Sequence, residues 1–320
     1  NVTNPKDTAK SDPVFSEANA ANLLLWEFSN ADDADMGYSY NLPQINPFTG
    51  QATQIVKMEN NQWAVIVGNG YNSSGGKAVL YVLFMAGGED GTWTVGTDYI
   101  KLVADSGTGN GLSTPTPFDK NGNGLVDVIY AGDIKGNLWK FDVSSSTPSS
   151  WNVAIGGLPL FVSGTTKPII SPPAVSFHPK KGQLIMFGTG KYLETADTTN
   201  TSTQSIYGLW DLNTPATITA GMLVQQVMTD ATVRTATQNQ VTYSDTIKGW
   251  YINLPVSGER ITGVPMLEDG ILLFTTIVPS ASPCDFGGRG FANALDFLTG
   301  SMLAFPAFDI NRNRVLSLDD

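Results

Sequence analysis

The stretch Phe118–Val143 reads FDKNGNGLVDVIYAGDIKGNLWKFDV and suggests how the whole chain folds. From Asp127 it contains an apolar run, DVIYAG, then a glycine-containing turn, then a second run, NLWKFDV, in which apolar and polar residues alternate. Two such runs separated by a short turn predict an antiparallel pair of β-strands. The loop before them, rich in oxygen-bearing side chains, demands a separate explanation.

The same strand–turn–strand pattern recurs along the chain. Three further copies are WAVIVGNGYN with KAVLYVLF (Trp63–Phe84), QLIMFGTGKYL with SIYGLWDL (Gln183–Leu212), and GILLFTTIV with NALDFLTG (Gly270–Gly300). A single twisted sheet cannot bury both of its faces, whereas sheets stacked around an axis bury them against one another. The repeats therefore predict an all-β fold, a modified β-propeller; a β-sandwich is the alternative. The number of blades, and whether the chain holds the whole ring or part of it, stay open.

The domain boundaries follow from composition. We interpret residues 1–20 as a polar arm, residues 21–308 as the propeller domain and residues 309–320 as a polar tail. Weaker strand candidates are Leu23–Ser29, Tyr99–Val103 and Gly249–Val256. One segment, Ala216–Gln240, is the only place where a helix is predicted.

Composition excludes several functional classes. The 320 residues carry a net charge of -11, which would repel nucleic acid phosphates but is compatible with divalent cations. No apolar run is long enough for a membrane-spanning helix, so we do not expect an integral membrane protein. Cys284 is the only cysteine, so an internal disulfide is impossible.

The loop Asp119–Asp127 matches the beginning of a calcium-binding loop. Asp119, Asn121, Asn123 and Asp127 occupy positions 1, 3, 5 and 9, with Gly124 at position 6. Leu125, at position 7, would contribute its backbone carbonyl. Calcium prefers six to eight oxygen ligands at about 2.3–2.6 Å, and alternate residues of a tight loop can converge on it. The sequence therefore predicts a Ca²⁺ site formed by these residues.

The loop departs from an EF-hand at its end. Position 12 is Tyr130 instead of glutamate, and the following residues predict a strand instead of a helix. Asp127 would have to complete the site, and two carboxylates imply modest affinity, on the order of 10⁻⁶ to 10⁻³ M. The strict octahedral preference of magnesium suits such a roomy loop less well. The plainer interpretation is an Asn-Gly turn that binds nothing.

A second copy of this spacing ends the chain. In FDINRNRVLSLDD, the residues Asp309, Asn311, Asn313, Ser317 and Asp320 repeat it. Arg314 stands where the loop needs glycine, and Arg312 adds a second positive charge. A polar tail is the favoured interpretation, and whether residues 309–320 bind a second ion stays open.

Four segments resemble one known family. They are GNGYNSSGGKAVLY, GLSTPTPFDKNGNGLVDVIYAGDIKGNLWKFDV, FGTGKYLETADTTNTSTQSIYGLWD and IVPSASPCDFGG, and the similarity extends from about Leu24 to Gly300. Together they resemble the C-terminal domain of the PilC/PilY family of type IV pilus tip-associated adhesins and biogenesis factors. The resemblance implies a modified β-propeller with an EF-hand-like calcium loop on Asp119, Asn121, Asn123, Leu125 and Asp127.

The resemblance also implies a location and partners. It places the protein on the bacterial cell surface, exported and associated with the pilus tip or outer membrane. The implied partners are pilus subunits and a host-cell receptor, and the implied roles are pilus extension versus retraction, twitching motility and adherence. A generic integrin-like or lectin-like calcium-dependent binding module is the alternative.

Enzymatic functions are disfavoured by the residue inventory. Quinoprotein dehydrogenases share such repeats but commonly use a vicinal disulfide, which one cysteine cannot form. The single histidine, His178, lies in a predicted turn, where a surface or capping role is expected, and no G-x-S-x-G motif is present. The glycine-rich Gly68–Gly76 lacks the Lys-Ser/Thr of a phosphate loop and predicts a hairpin loop.

Two further residue types have structural and functional interpretations. The tryptophans Trp139, Trp210 and Trp250 are expected in the propeller core, with a sugar-binding face as the alternative. Cys284 lies in a predicted loop, with no neighbouring base to activate it as a nucleophile.

Overall fold

The chain is all-β in the computed structural model, which describes residues 2–3, 24–45, 52–53, 55–280, 288–309 and 312–314. Near the N-terminus β1 (Val2–Thr3) pairs antiparallel with β2 (Leu24–Trp26), and β3 (Gln44–Ile45) pairs with β4 (Ala52–Thr53). The strand predicted within Leu23–Ser29 therefore exists as β2. Of the predicted arm 1–20, only β1 lies among the described residues.

Four sheets follow in chain order, antiparallel except for one parallel strand pair in the third, and we call them blades 1 to 4. Blade 1 contains β5 (Ile55–Lys57), β6 (Trp63–Gly68), β7 (Ala78–Phe84) and β8 (Tyr99–Asp105). Blade 2 contains β9 (Thr116–Phe118), β10 (Val128–Gly132), β11 (Asn137–Asp142), β12 (Asn152–Val153) and β13 (Phe161–Val162).

Blades 3 and 4 complete the described sheets. Blade 3 contains β14 (Ala174–Phe177), β15 (Gln183–Gly188), β16 (Ser205–Asp211), β17 (Leu223–Val227) and β18 (Gly249–Asn253). Blade 4 contains β19 (Met266–Glu268), β20 (Ile271–Val278) and β21 (Arg289–Asp296). The central hairpin of each blade is one of the four repeats predicted from the sequence.

Blade 3 corrects the predicted helix. Within Ala216–Gln240 the chain forms a single 3-10 turn, Ala220–Met222, and then β17, which pairs parallel with β18. The prediction was wrong because Leu223 and the Gln226 side chain are buried at the outer edge of the sheet, and this tertiary environment outweighs weak local propensity.

Helical structure is sparse elsewhere in the described residues. The other 3-10 segments are Gly87–Asp90, Pro148–Ser150 and Thr195–Thr199, and Ala154–Gly157 forms one irregular turn with positive φ at Ile155 and Gly156.

Alternate residues of each strand enter different cores, which is why the blades stack. In β10, Val128 and Tyr130 pack toward blade 3, whereas Ile129 and Ala131 pack toward blade 1. A further core joins blades 3 and 4 around Trp250, which is fully buried. Each sheet between two neighbours is thus apolar on both faces, as β-propeller blades require. A two-sheet sandwich does not produce this series of cores, so that alternative is wrong.

A repeated contact locks successive blades together. The second strand of blades 2 and 3 ends in glycine, and an isoleucine side chain from the following connection packs close by. A Cβ on Gly132 would meet Cγ2 of Ile169 at 2.2 Å, and a Cβ on Gly188 would meet Cγ2 of Ile261 at 2.3 Å. Only glycine permits this close approach.

Candidate metal centre

The predicted calcium loop connects β9 to β10 at one end of blade 2. The backbone N–H of Asp127 donates to the carbonyl of Phe118 at 3.1 Å, which closes the base of the loop. The N–H of Val126 donates to the carbonyl of Lys57 at 3.0 Å, so the loop is also held against the β5–β6 turn of blade 1. Residues 121–124, at the tip, are exposed.

The carboxylate of Asp119 organises the backbone of the loop. Its Oδ1 accepts the backbone N–H groups of Asn121 at 3.0 Å and Gly122 at 2.7 Å, and its Oδ2 accepts that of Gly124 at 2.7 Å. Hydrogen bonds to a carboxylate are charge-assisted and stronger than neutral ones. The loop therefore wraps around its first residue.

Asp127 lies at the other end of the loop and is 4% exposed. Its Oδ2 accepts the backbone N–H of Lys120 at 2.7 Å, and its Oδ1 accepts Nδ2 of Asn121 at 3.1 Å. Asn121 thus contacts both carboxylates, one through its backbone and one through its side chain. The first and last predicted ligands are therefore linked through Asn121.

The two asparagine side chains also hydrogen-bond to the backbone of the loop. Oδ1 of Asn121 accepts the N–H of Asn123 at 3.0 Å, and Oδ1 of Asn123 accepts the N–H of Leu125 at 2.8 Å. Nδ2 of Asn123 donates to Oε1 of Glu59 at 3.2 Å. Glu59, in the β5–β6 turn of blade 1, was missed by sequence reasoning because it lies 64 residues away and belongs to no recognisable motif.

Two glycines give the loop its sharp curvature. Gly122 and Gly124 have φ of +78° and +83°, in the left-handed region that side chains disfavour. This is the conformation that the glycine at position 6 was expected to supply.

The donor set has the chemistry of a calcium site. It consists of two carboxylates, two amide side chains and the Leu125 carbonyl, all oxygen donors, which suits a hard cation. Within the described residues no cluster of three or more His, Cys, Asp or Glu side chains suitable for a metal occurs. Any ion here would depend on neutral amide and carbonyl oxygens as well as on charge.

A neighbouring carboxylate is also affected by the loop. Burial alone would raise the pKa of Asp142, but hydrogen bonds from Ser144 and the charges of Lys120 and Lys140 hold it below its usual value. Lys120 thus contributes positive charge to the surface beside the loop.

The second copy of the spacing is only partly described. Asp309 accepts the backbone N–H groups of Asn313 at 3.1 Å and Arg314 at 2.7 Å, much as Asp119 binds its own loop. Arg312 and Arg314 have φ of +60° and +67°, the region occupied by Gly122 and Gly124. Asn311, Ser317 and Asp320 lie outside the described residues, and a second ion site here stays a prediction.

Other singled-out residues have structural roles. The tryptophans Trp139, Trp210 and Trp250 are at most 5% exposed, so they belong to the core and the sugar-face alternative is wrong. His178 lies between β14 and β15, where its Nδ1 accepts the N–H of Lys180 at 3.2 Å. It is buried beside Trp210 and Tyr243, and this burial, with the charge of Lys180, lowers its pKa. His178 is a turn cap, buried instead of on the surface.

The glycine-rich segment Gly68–Gly76 connects β6 to β7 and is the predicted hairpin loop. With Thr108, Asn110 and Glu194 it lines a pocket of about 390 Å³. Because connections in an antiparallel sheet alternate between its two ends, this pocket lies at the opposite end of the blades from the Asp119–Asp127 loop. Cys284 lies outside the described residues.

Comparison with known proteins places this architecture in a family. The model of the PilY1 β-propeller domain matches residues 7–244. The chain belongs to the PilY1 β-propeller family. The predicted all-β propeller fold and the predicted resemblance are thereby confirmed, and blades 1 and 2 lie wholly within the matched residues.

Comparisons with individual relatives support the same family. The type IV pilus biogenesis factor PilY1 of Pseudomonas aeruginosa is 33% identical over 92% of this chain, and a PilY1 homologue of Xylella fastidiosa is 34% identical over 91%. The crystal structure of the Pseudomonas aeruginosa PilY1 C-terminal domain matches with a TM-score of 0.76 and 32% identity, covering 92% of this chain and 65% of that one. This chain spans 28% and 20% of the two curated relatives' lengths.

Where the described residues form helices, none is long and apolar enough to span a membrane.

Proposed function

We propose that this PilY1-family propeller is a calcium-stabilised, non-enzymatic module of a type IV pilus biogenesis factor. In this proposal it is exported, acts at the bacterial surface on or near the pilus tip, and contacts pilus subunits and a host-cell receptor. Its calcium loop supports pilus extension versus retraction, twitching motility and adherence.

One observation supports the calcium part above the others. Asp119 and Asp127 both accept hydrogen bonds from Asn121, although two carboxylates at the ends of one short loop repel one another. An Asn-Gly turn explains the two positive-φ glycines, and N–H groups of the loop hydrogen-bond both carboxylates. Hydrogen bonds leave the two negative charges in place, however, and a turn gives no reason for carrying both. A divalent cation supplies that reason, because it neutralises both.

The residues have distinct roles in holding the ion. Asp119 and Asp127 supply charge, Asn121 and Asn123 supply amide oxygens, and Leu125 supplies its carbonyl. When bound, calcium supplies a positive charge that fastens the loop. Because Asp127 leads directly into the buried strand β10 and Val126 bonds to blade 1, fastening the loop also stabilises the adjoining turns at this end of the blades.

The proposed role in type IV pili is supported by the similarity to the relatives. Those named above are type IV pilus biogenesis factors, and the aligned region covers nearly all of this chain. The loops at the calcium end of the blades, including the β5–β6 turn, provide the surface that we assign to partner binding.

The calcium proposal is tested by titrating the chain with Ca²⁺ in a calorimeter. The wild-type chain should bind one equivalent at the loop, and Asp127→Ala should lose that binding. The substitution leaves Lys120 N–H and the Asn121 amide without acceptors, so we also expect a loss of about 1–2 kcal/mol in the free energy of unfolding without calcium.

The matched control is Asp90→Ala. Asp90 is an exposed carboxylate of blade 1 that also accepts two hydrogen bonds, from the backbone and the hydroxyl of Thr92. This variant has the same charge change and should retain calcium binding. Unchanged calcium affinity in Asp127→Ala would refute the site.

The pilus proposal is tested separately in cells. Asp127→Ala in the full-length protein should reduce twitching motility, and the protein should co-purify with sheared pili. A wild-type protein absent from pili, with normal piliation after deletion, would favour a generic calcium-dependent surface module.

A further inference from the structure

Glu59 connects the predicted ion loop to the neighbouring blade. It lies in the turn between β5 and β6, and its Oε1 accepts a hydrogen bond from Nδ2 of Asn123 at 3.2 Å. The contact is supported by the backbone, because the N–H of Val126 donates to the carbonyl of Lys57, and Met58 and Val126 form a parallel bridge. Glu59 is therefore held beside the loop by the fold.

We propose that Glu59 is a positioning residue of the calcium site. This inference rests on the proposed function. By accepting a hydrogen bond from Nδ2, Glu59 fixes the orientation of the Asn123 amide, so that Oδ1 is turned into the loop, where it now accepts the N–H of Leu125. Hydrogen-bond partners of metal ligands commonly orient the ligands and tune affinity in this way.

Charge gives Glu59 a second effect on the same site. The loop itself offers only two carboxylates, and Lys120 adds an opposing positive charge beside them. A third carboxylate at the edge of the loop favours a divalent cation, since a nearby opposite charge stabilises an ion even without direct coordination. Blade 1 thus compensates in part for the glutamate missing at position 12.

The arrangement also makes ion binding depend on two blades. Asn123 belongs to the β9–β10 loop of blade 2, whereas Glu59 belongs to blade 1. An ion that orders Asn123 strengthens its contact with Glu59, and by thermodynamic reciprocity the contact strengthens ion binding. Calcium would then tighten the packing of blade 2 against blade 1.

The test is a calcium titration by calorimetry on the whole chain and three variants. We expect Glu59→Ala to weaken affinity by about 10-fold or more, in the range found for other outer-shell partners. Glu59→Gln keeps an oxygen that can accept from Asn123 but loses the charge, so its loss should be smaller. Glu268→Gln, an exposed glutamate of β19 in blade 4, is the charge-matched control and should bind as the wild type does.

A double-mutant cycle separates positioning from general electrostatics. If Glu59 acts through Asn123, then Glu59→Ala should cost much less in an Asn123→Ala background than alone. Melting temperatures measured in chelator report whether any variant loses the fold, and Glu59→Gln serves if Glu59→Ala does not fold.

The outcomes are distinct. Equal affinities for the wild type, Glu59→Ala and Glu268→Gln would overturn this inference while leaving the calcium site standing. Additive losses in the double variant would overturn the positioning role. A wild-type chain that binds no calcium would overturn the proposed function itself.

Discussion

Gly124 shows how one residue determines whether the candidate loop can form. Its φ is +83°, and a Cβ added there would meet no atom within 4 Å. The cost of a side chain is therefore conformational, with no contribution from crowding. Its N–H also donates to Asp119, so a shift of the backbone at this position would disturb a predicted ligand.

Gly124→Ala should therefore weaken both the loop and its ion binding. We expect the free energy of unfolding to fall by about 1–2 kcal/mol, the cost of holding an L-residue in the left-handed region, together with a lower calcium affinity. Urea denaturation and a calcium titration measure the two effects. Gly221→Ala is the control, because Gly221 also has open space around its Cβ but no positive φ; equal stability losses in the two variants would contradict the argument.

At the scale of elements, the connection between blades is the most sensitive point. Ile169 is fully buried and packs against Gly132 at the end of β10. Ile169→Ala should cost about 2–5 kcal/mol in the free energy of unfolding, because it removes apolar contact and leaves a cavity. The control is Val162→Ala in β13, where the side chain is 50% exposed and the cost should be far smaller. Similar midpoints of urea denaturation for the two variants would show that this contact does not lock the blades.

The strand pairs were predictable from sequence because their signal is local. Runs such as VIYAG are apolar at every position, as strands buried on both faces must be, and a glycine turn marks where each hairpin reverses. The ligand spacing of the Asp119–Asp127 loop was predictable too, because all the predicted ligands lie within nine consecutive residues.

What sequence reasoning missed depends on contacts between distant segments. Strand β17 pairs parallel with β18 from across an insertion, and nothing in LVQQV distinguishes an outer strand from a helix. Glu59 reaches Asn123 only because blades 1 and 2 stack. The burial of His178 likewise follows from its packing against Tyr243, which lies far along the chain.

At the scale of the whole molecule, a network of ion pairs holds the segment 24–45 against the face of blade 1 that points away from blade 2. Asp33 accepts hydrogen bonds from Lys101 at 2.7 Å and from the Tyr99 hydroxyl at 2.9 Å. Asp35 pairs with Lys101 at 2.8 Å and Lys77 at 3.0 Å. Trp26 and Trp93 cover the apolar residues beneath. Blade 1 therefore has its outer face closed by the chain itself.

This network predicts how stability depends on pH. Burial alone would raise the pKa values of Asp33 and Asp35, but the contacts with Lys101, and with Lys77 for Asp35, hold both below the ordinary 3.8. A carboxylate whose pKa is lower in the folded than in the unfolded state stabilises the fold at pH values above its unfolded-state pKa. This stabilisation is lost as pH falls through the folded-state pKa. Melting temperature in chelator should therefore fall as pH drops below about 4.

The Asp33→Asn, Asp35→Asn double variant separates this network from other acids. It should melt at a lower temperature at pH 7 than the wild type and show a shallower loss of stability toward pH 2, because two of the titrating groups are gone. Asp133 affects stability with the opposite sign, because burial outweighs its hydrogen bonds and raises its pKa. Its contribution to the free energy of unfolding is lost as pH rises through its folded-state pKa. If the melting temperature falls equally steeply below pH 4 in the double variant and the wild type, the network does not determine stability in acid.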